Sequence, residues 1–438
     1  MTAKDPYRLT ASEVVSLTSS GKLTVEDYAK SLLSRVHERD SVVHAWAYLD
    51  EDLVLKSARE LDQVLPEKRG PLHGVAIGVK DIIYTKGMGH NSPIYAGHHP
   101  AVDAGCVMTL RAAGALILVG KTCTTEFASV VKGGPCWNPH DPKRTPGGSS
   151  SGSGAAVADF QVPITLGTQT VGSTIRPGSF NGVYALKPTW GAISREGLKV
   201  YSIMLDIYAR SVDDLVLLTR VFCLDDDKPV PHVPFKLEDA KFAICKTHVW
   251  PQASESTKGA MLKAADLLRQ QGALVEELEL PSEFEQITPW HTTILDCEGR
   301  ASFLGDYATS KDKLDQHLVD TVENKSGRTR AQQLAAYDGM AALRSKFDEI
   351  AKGYAGIITP SAPDEAPIGL EHTGSPVFCG MWTVLHTPVV NLPGFCGAHG
   401  LPIGLSLVAP RYYDQHLLHV ASPVAKLFAE QGGWVSQL

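Results

Sequence analysis

Apolar and polar positions change rhythm several times along the chain. Residues 9–38, LTASEVVSLTSSGKLTVEDYAKSLLSRVHE, carry apolar residues at helical spacing in two runs. Thr10 and Thr24 stand where N-caps are needed, each with an acid two or three residues on, so two short helices are predicted. LHGVAIGVKDIIY (72–84) is a short run rich in Val and Ile between turn residues, the pattern of a buried strand. CVMTLRAAGALILVGKT (106–122) reads as helix, glycine stop and strand, and VPITLGTQT (162–170) as another strand. STKGAMLKAADLLRQQGALVEELEL (256–280) repeats helix then strand, with Gly272 near the helix C-cap. AGIITPSAP (355–363) predicts a strand ending in a proline turn, GLPIGLSLVAP (400–410) the last strand, and 413–430 the closing helix.

Strands alternating with helices predict an α/β fold around a largely parallel or mixed sheet. No internal repeat is visible. LDDDKPVPHVPFK (224–236) is the best candidate for a boundary, and we read it as a surface loop within one domain. Hydrophobic content of 43% and charged content of 20% are those of a globular protein with a sizeable core. A formal net charge of −7, with both signs mixed, argues against nucleic acid or an anionic membrane as the main partner. No run of about eighteen apolar residues is present, so no spanning helix is expected. The opening MTAKDPYRLTASEVV lacks a basic segment followed by an apolar one, the mark of a secretory signal. The eight cysteines contain no C-x-x-C pair and read as reduced thiols, which makes the cytoplasm the expected compartment.

The densest candidate chemistry is TPGGSSSGSGAAVADF (145–160). A flexible linker would lack the apolar GAAVADF and the strand that follow. GSSSG (148–152) fits G-x-S-x-G around Ser150, but the preceding NPHDPKRTP is no hydrophobic strand, so a nucleophile elbow is discounted. GALILVGKT (114–122) ends like a phosphate loop, yet Ala115 stands where its first glycine belongs. SVVK (129–132) matches S-x-x-K without the partner motifs of penicillin-recognising enzymes. No metal motif appears, and His416 and His419 read as surface or packed residues. What remains is acyl transfer. TLGTQTVGSTIRPGSFNG (165–182) leaves a strand, passes Gly172 and presents Ser173; read alone, it is a plain surface turn or a set of backbone N–H groups converging as an oxyanion hole. Lys80, in an apolar strand, is either a strand-end partner of Asp81 or a desolvated amine able to act as a base.

At this point the chain resembles the amidase signature enzymes. GGPCWNPHDPKRTPGGSSSGSGAAVADFQVPITLGTQTVGSTIRPGSFNGVYALKPTWG is similar to their signature almost from end to end, and GVAIGVKDI, GKTCTTEFA, LDIYARSVDDL and GLPIGLSLV resemble further segments. The resemblance implies a single large α/β domain, a mixed central sheet covered by helices on both faces. It divides into an N-terminal helical part (1–70), a catalytic core (71–223) and the remainder of the sheet with the pocket loops (224–438). It implies a Ser–cis-Ser–Lys triad: Ser173 as nucleophile, Ser149 as the bridging serine in a cis peptide, and Lys80 as base. Backbone N–H groups of residues 170–173 (Thr170, Val171, Gly172 and the nucleophile) would form the oxyanion hole, with Thr168 and Ser150 in support. Ser151 and Ser153 would bond locally or cap a helix, and Asp206, Arg210 and Asp213 resemble structural positions.

The implied activity is hydrolysis of a small carboxamide through a Ser173 acyl-enzyme, with no metal and no organic cofactor. The alternatives are carbamate, urethane or ester hydrolysis on the same triad, or membership of a glutamyl-tRNA amidotransferase as one of its subunits. A small amide is the expected partner, and a homodimer through the N-terminal helices is implied as well. Three departures stand out. Val171-Gly172 replaces a Gly-Gly pair, Cys123 replaces an asparagine, and Gln169 with the offset of Arg176 resembles the malonamidase-type branch. In that branch the arginine meets a substrate carboxylate; the other role for Arg176 is to brace the loop through backbone carbonyls. The pocket is expected to be shaped by 125–135, 300–340 and 372–399, with FCGMWTVLHTP (378–388) lining it or serving as core.

Overall fold

Two threonines begin the chain's ordered helices as the pattern requires. The hydroxyl of Thr10 accepts from Glu13 N–H in a capping box that opens helix Ala11–Ser19, and Thr24 accepts from Asp27 N–H to open helix Val25–Val43. The second helix is longer than predicted, ending only where His44 turns left-handed at φ 52°. The computed structural model describes residues 4–88, 93–95, 97–198, 204–227 and 229–438.

Eleven strands among the described residues form one sheet. They are β1 (Trp46–Leu49), β2 (Ala76–Lys80), β3 (Leu116–Thr122), β4 (Ile164–Gln169), β5 (Tyr184–Lys187), β6 (Met204–Ala209), β7 (Lys241–Cys245), β8 (Leu274–Leu278), β9 (Gly356–Pro360), β10 (Val389–Cys396) and β11 (Pro402–Val408). Their spatial order is β1-β3-β2-β4-β6-β5-β10-β11-β9-β7-β8. β2 pairs parallel with β3 and β4, and β7 parallel with β8 and β9, while the other pairings are antiparallel. The sheet is therefore mixed, and helices cover it. Strands on both sides of 224–236 belong to it, so the segment is a loop within one α/β unit; residue 228 lies outside the described residues.

β2 and β4 are buried at every position, which is why their sequences run apolar without alternation. The helix Ser151–Ala158 lies against them, and all eight of its residues are buried. Its small side chains have a steric cause. A Cβ on Gly152 would stand 2.1 Å from the Ala45 carbonyl oxygen and 2.5 Å from Cys123 N. Both obstacles are backbone, so nothing can swing aside. We predict that Gly152→Ala destabilises the protein by about 1–3 kcal/mol or more. A denaturant midpoint unchanged from wild type would contradict this packing account.

Candidate active site

The serine-rich segment enters the core through Gly147, whose φ of +83° suits glycine and whose Cβ would crowd Pro177. The next peptide, Gly148–Ser149, is cis. β2 ends on Lys80, whose amine lies 2.8 Å from Ser149 Oγ, 2.9 Å from Ser150 Oγ, 2.7 Å from Thr168 Oγ1 and 3.4 Å from the Thr168 carbonyl oxygen. Lys80 is wholly buried, and no carboxylate among the described residues forms an ion pair with it. Burial holds its amine well below the usual lysine range, with the Asp206 charge opposing.

Ser173 follows β4 on a tight turn. Its carbonyl oxygen accepts from Ser150 N–H at 3.3 Å and from the Tyr208 hydroxyl at 3.2 Å, tying the two serine segments together. Exposure rises from 0% at Lys80 to 4% at Ser149 and 8% at Ser173, so the amine is innermost and Ser173 is the member nearest solvent. The N–H groups of residues 170–173 find no acceptor among the described residues. Val171 does not take a positive φ, so the departure from Gly-Gly needs no left-handed valine. Gly172 is required by contact: a Cβ there would lie 2.7 Å from Pro376 Cβ and 2.9 Å from Cys379 Cβ.

The remaining serines are spent on structure. Ser150 Oγ donates to the Thr168 carbonyl at 3.1 Å and accepts from Thr168 N–H at 3.2 Å. Ser151 donates to the Gly147 carbonyl, and Ser153 to that of Leu166. Gln169 joins the turn on two sides, its Oε1 accepting from Thr174 N at 2.9 Å and Ile175 N at 3.0 Å, and its Nε2 donating to Thr383 Oγ1 at 2.9 Å. Those two N–H groups begin helix Ile175–Asn181, where a side-chain acceptor is needed.

Arg176 is buried. Its Nη1 donates to the Gly374 carbonyl at 2.6 Å, and its Nη2 reaches the Gly148 carbonyl and Thr373 Oγ1. Only Nε lacks a partner. Asp206 accepts from Thr174 Oγ1 at 2.7 Å, and Arg210 donates to the carbonyls of Tyr7 and Leu9, anchoring the N-terminal segment. Asp213 falls in the first turn of helix Val212–Val221. Burial pushes the Cys123 thiol up to about 12, which leaves it a protonated core side chain. Of the predicted pocket loops, 372–379 meets the Ser173 turn through Arg176 and Gly172. The 378–388 segment is mostly core, Trp382 packing on Phe347, although Thr383, Val384 and His386 face a cavity of about 270 Å³. The sequence pattern missed Thr174, Tyr208, His291 and Thr383 around this turn.

The amidase family profile matches residues 27–418. The chain is 31% identical to a glutamyl-tRNA(Gln) amidotransferase subunit of Streptomyces avermitilis, over 97% of this chain and 96% of that one. A crystal structure of an amidase is 26% identical, with a TM-score of 0.82 over 94% of this chain and 98% of the other. The peptide amidase of Stenotrophomonas maltophilia, at 24% identity, shares the fold with a TM-score of 0.80 over 97% and 98%. On the matched profile, the shared fold and these relatives, the chain belongs to the amidase family.

Proposed function

We propose that this amidase-family enzyme hydrolyses small carboxamides through an acyl-enzyme on Ser173, with Ser149 relaying the proton to Lys80. The observation that carries the reading is the wholly buried Lys80 amine, held below the usual lysine range and in contact with the Ser149 hydroxyl at 2.8 Å. Ser150 gives its hydrogen to Thr168 and can only accept from Lys80. One N–H of a neutral amine goes there and the other to Thr168 Oγ1. The ammonium form donates to Ser149 Oγ across the 2.8 Å contact; the neutral amine can instead receive the Ser149 proton on its lone pair there. An ammonium would have no lone pair to offer, and its burial here is disfavoured.

Ser173 Oγ attacks the amide carbon as its proton passes to Ser149 and the Ser149 proton passes to Lys80. The carbonyl oxygen gains negative charge, and we assign its stabilisation to the N–H groups of residues 170–173, which have no acceptor among the described residues. The relay then returns a proton to the departing nitrogen, which leaves as ammonia or an amine. Water attacks the ester by the reverse route, releasing a carboxylic acid and free Ser173.

For Arg176 we propose the bracing role, because both terminal nitrogens already serve loops on either side of the turn. The malonamidase-type use of this arginine would have to draw on Nε and the second hydrogen of Nη1, or displace one of those bonds. Ammonia release from a panel of neutral and carboxylate-bearing small amides tests both points. Release without preference for the acids is the expected result. Strong selection for acids returns Arg176 to the substrate. Turnover confined to carbamates or esters replaces the amide reading with the corresponding hydrolase. A second reading is favoured by the relatives of about this length that are named as glutamyl-tRNA(Gln) amidotransferase subunits. A chain of that kind works with partner chains, so co-purification of partners and activity only in their presence would select it.

A further inference from the structure

A peptide unit is planar and trans, so its C=O and N–H point in opposite directions. Whatever holds the Thr170 carbonyl therefore aims the Val171 N–H, and whatever holds the Val171 carbonyl aims the Gly172 N–H. Both carbonyls are held by side chains from remote parts of the chain. His291, buried on helix Ile287–Ser302, places Nε2 3.1 Å from the Thr170 oxygen. Thr383, on the short helix Gly380–Val384, places Oγ1 2.7 Å from the Val171 oxygen. The Thr383 hydroxyl also accepts from Gln169, whose other end holds Thr174 and Ile175 N–H. The residues flanking Ser173 are thus enclosed by one connected set of bonds. Burial pushes the His291 ring down to about 4, so it is neutral near pH 7, and its contact with a carbonyl puts the ring hydrogen on Nε2.

We infer that His291 and Thr383 are positioning residues that aim the Val171 and Gly172 N–H groups at the oxygen of the reacting carbonyl. The inference rests on Ser173 being the nucleophile. Packing holds the turn tightly at Gly172 but leaves a cavity beside the two supports. The cavity of about 270 Å³ is lined by Thr170, His291 and Thr383 together with Trp190 and Tyr337. A side chain that loses its bond there has room to turn away, and the freed carbonyl takes its peptide plane with it. Helix Gly380–Val384 packs closely on the turn: a Cβ at Gly380 would lie 3.3 Å from Val171 Cγ1 and 3.4 Å from His291 Nδ1.

The test compares kcat and KM for an amide that the wild type turns over with those of Thr383→Val, Thr383→Ser, His291→Phe and His291→Gln. Each variant is also titrated with a trifluoromethyl ketone, which adds to a serine as a tetrahedral oxyanion. Misaiming an oxyanion donor should lower kcat in Thr383→Val and His291→Phe by roughly tenfold to a hundredfold. KM should stay within about threefold, since the loss falls on the transition state, and ketone affinity should drop in step with kcat. Thr383→Ser and His291→Gln, which keep a donor, should recover most of the loss. A Thr383→Val enzyme with wild-type kcat overturns the inference, as does a loss that the conservative variants do not recover. Thermal midpoints identify any variant that fails to fold; should His291→Phe be one, the Thr383 pair decides. Failure of the underlying reading looks different: Ser173→Ala would retain turnover, whereas failure of this inference alone leaves turnover dependent on Ser173 and indifferent to Thr383.

Discussion

Ser173→Ala should lower kcat by roughly four to six orders of magnitude, the loss seen when an acyl-transfer serine is removed from a complete triad. The variant should still fold. Ser173 holds its neighbours through its backbone carbonyl, bonded to Ser150 N–H and Tyr208, and the substitution leaves that carbonyl in place. A thermal midpoint close to wild type, with no acyl-enzyme mass after mixing with substrate, is the combined expectation. Residual turnover above about one part in a hundred would remove Ser173 from the nucleophile's role. Ser150 would not be the replacement, because its hydroxyl is committed to Thr168 and Lys80.

Lys80→Met, which keeps the length of the stem, should lower kcat by roughly two to four orders of magnitude, the range of a lost general base. The pH profile is the sharper measurement. In the proposed relay the neutral amine is the active form, so kcat/KM of the wild type should rise with pH through an inflection below the ordinary lysine value of about 10.4. It should fall as acid protonates the amine. Lys80→Met should lose that limb. Stability changes with the same sign. Between the lowered folded value of Lys80 and about 10.4, the unfolded chain binds a proton that the native state does not, so stability rises with pH across that window. Lys121, buried and pushed down to about 8, adds a similar slope that survives the substitution. A Lys80→Met enzyme with an unchanged acidic limb would assign the relay's base elsewhere.

Much of this arrangement is legible in the sequence alone. Lys80 interrupts an apolar run, Ser149 sits behind a Gly-Gly pair and Ser173 follows a buried strand, and such local features carry a family resemblance. Thr10, Thr24 and Gly272 are legible because capping is decided within one helical turn. β1 escapes because its four residues are all half-buried and alternate too briefly to register. β10 escapes because Pro393 and Gly394 read as turn residues, while in the sheet they mark a shift of register against β11. His291 and Thr383 carry no local mark. They meet the turn across 121 and 212 residues, and only the fold brings them there.

The three side chains of the proposed relay lie within residues 80–173, on and beside adjacent parallel strands, and both side chains that hold the 170–171 carbonyls come from beyond residue 290. Inheritance can therefore act on the two halves unequally. A lineage that alters its later loops to admit a new acyl group keeps the proton relay intact. If His291 and Thr383 aim the turn as inferred, each such alteration near them also resets the rate, and divergence in specificity is mechanically joined to divergence in catalytic power.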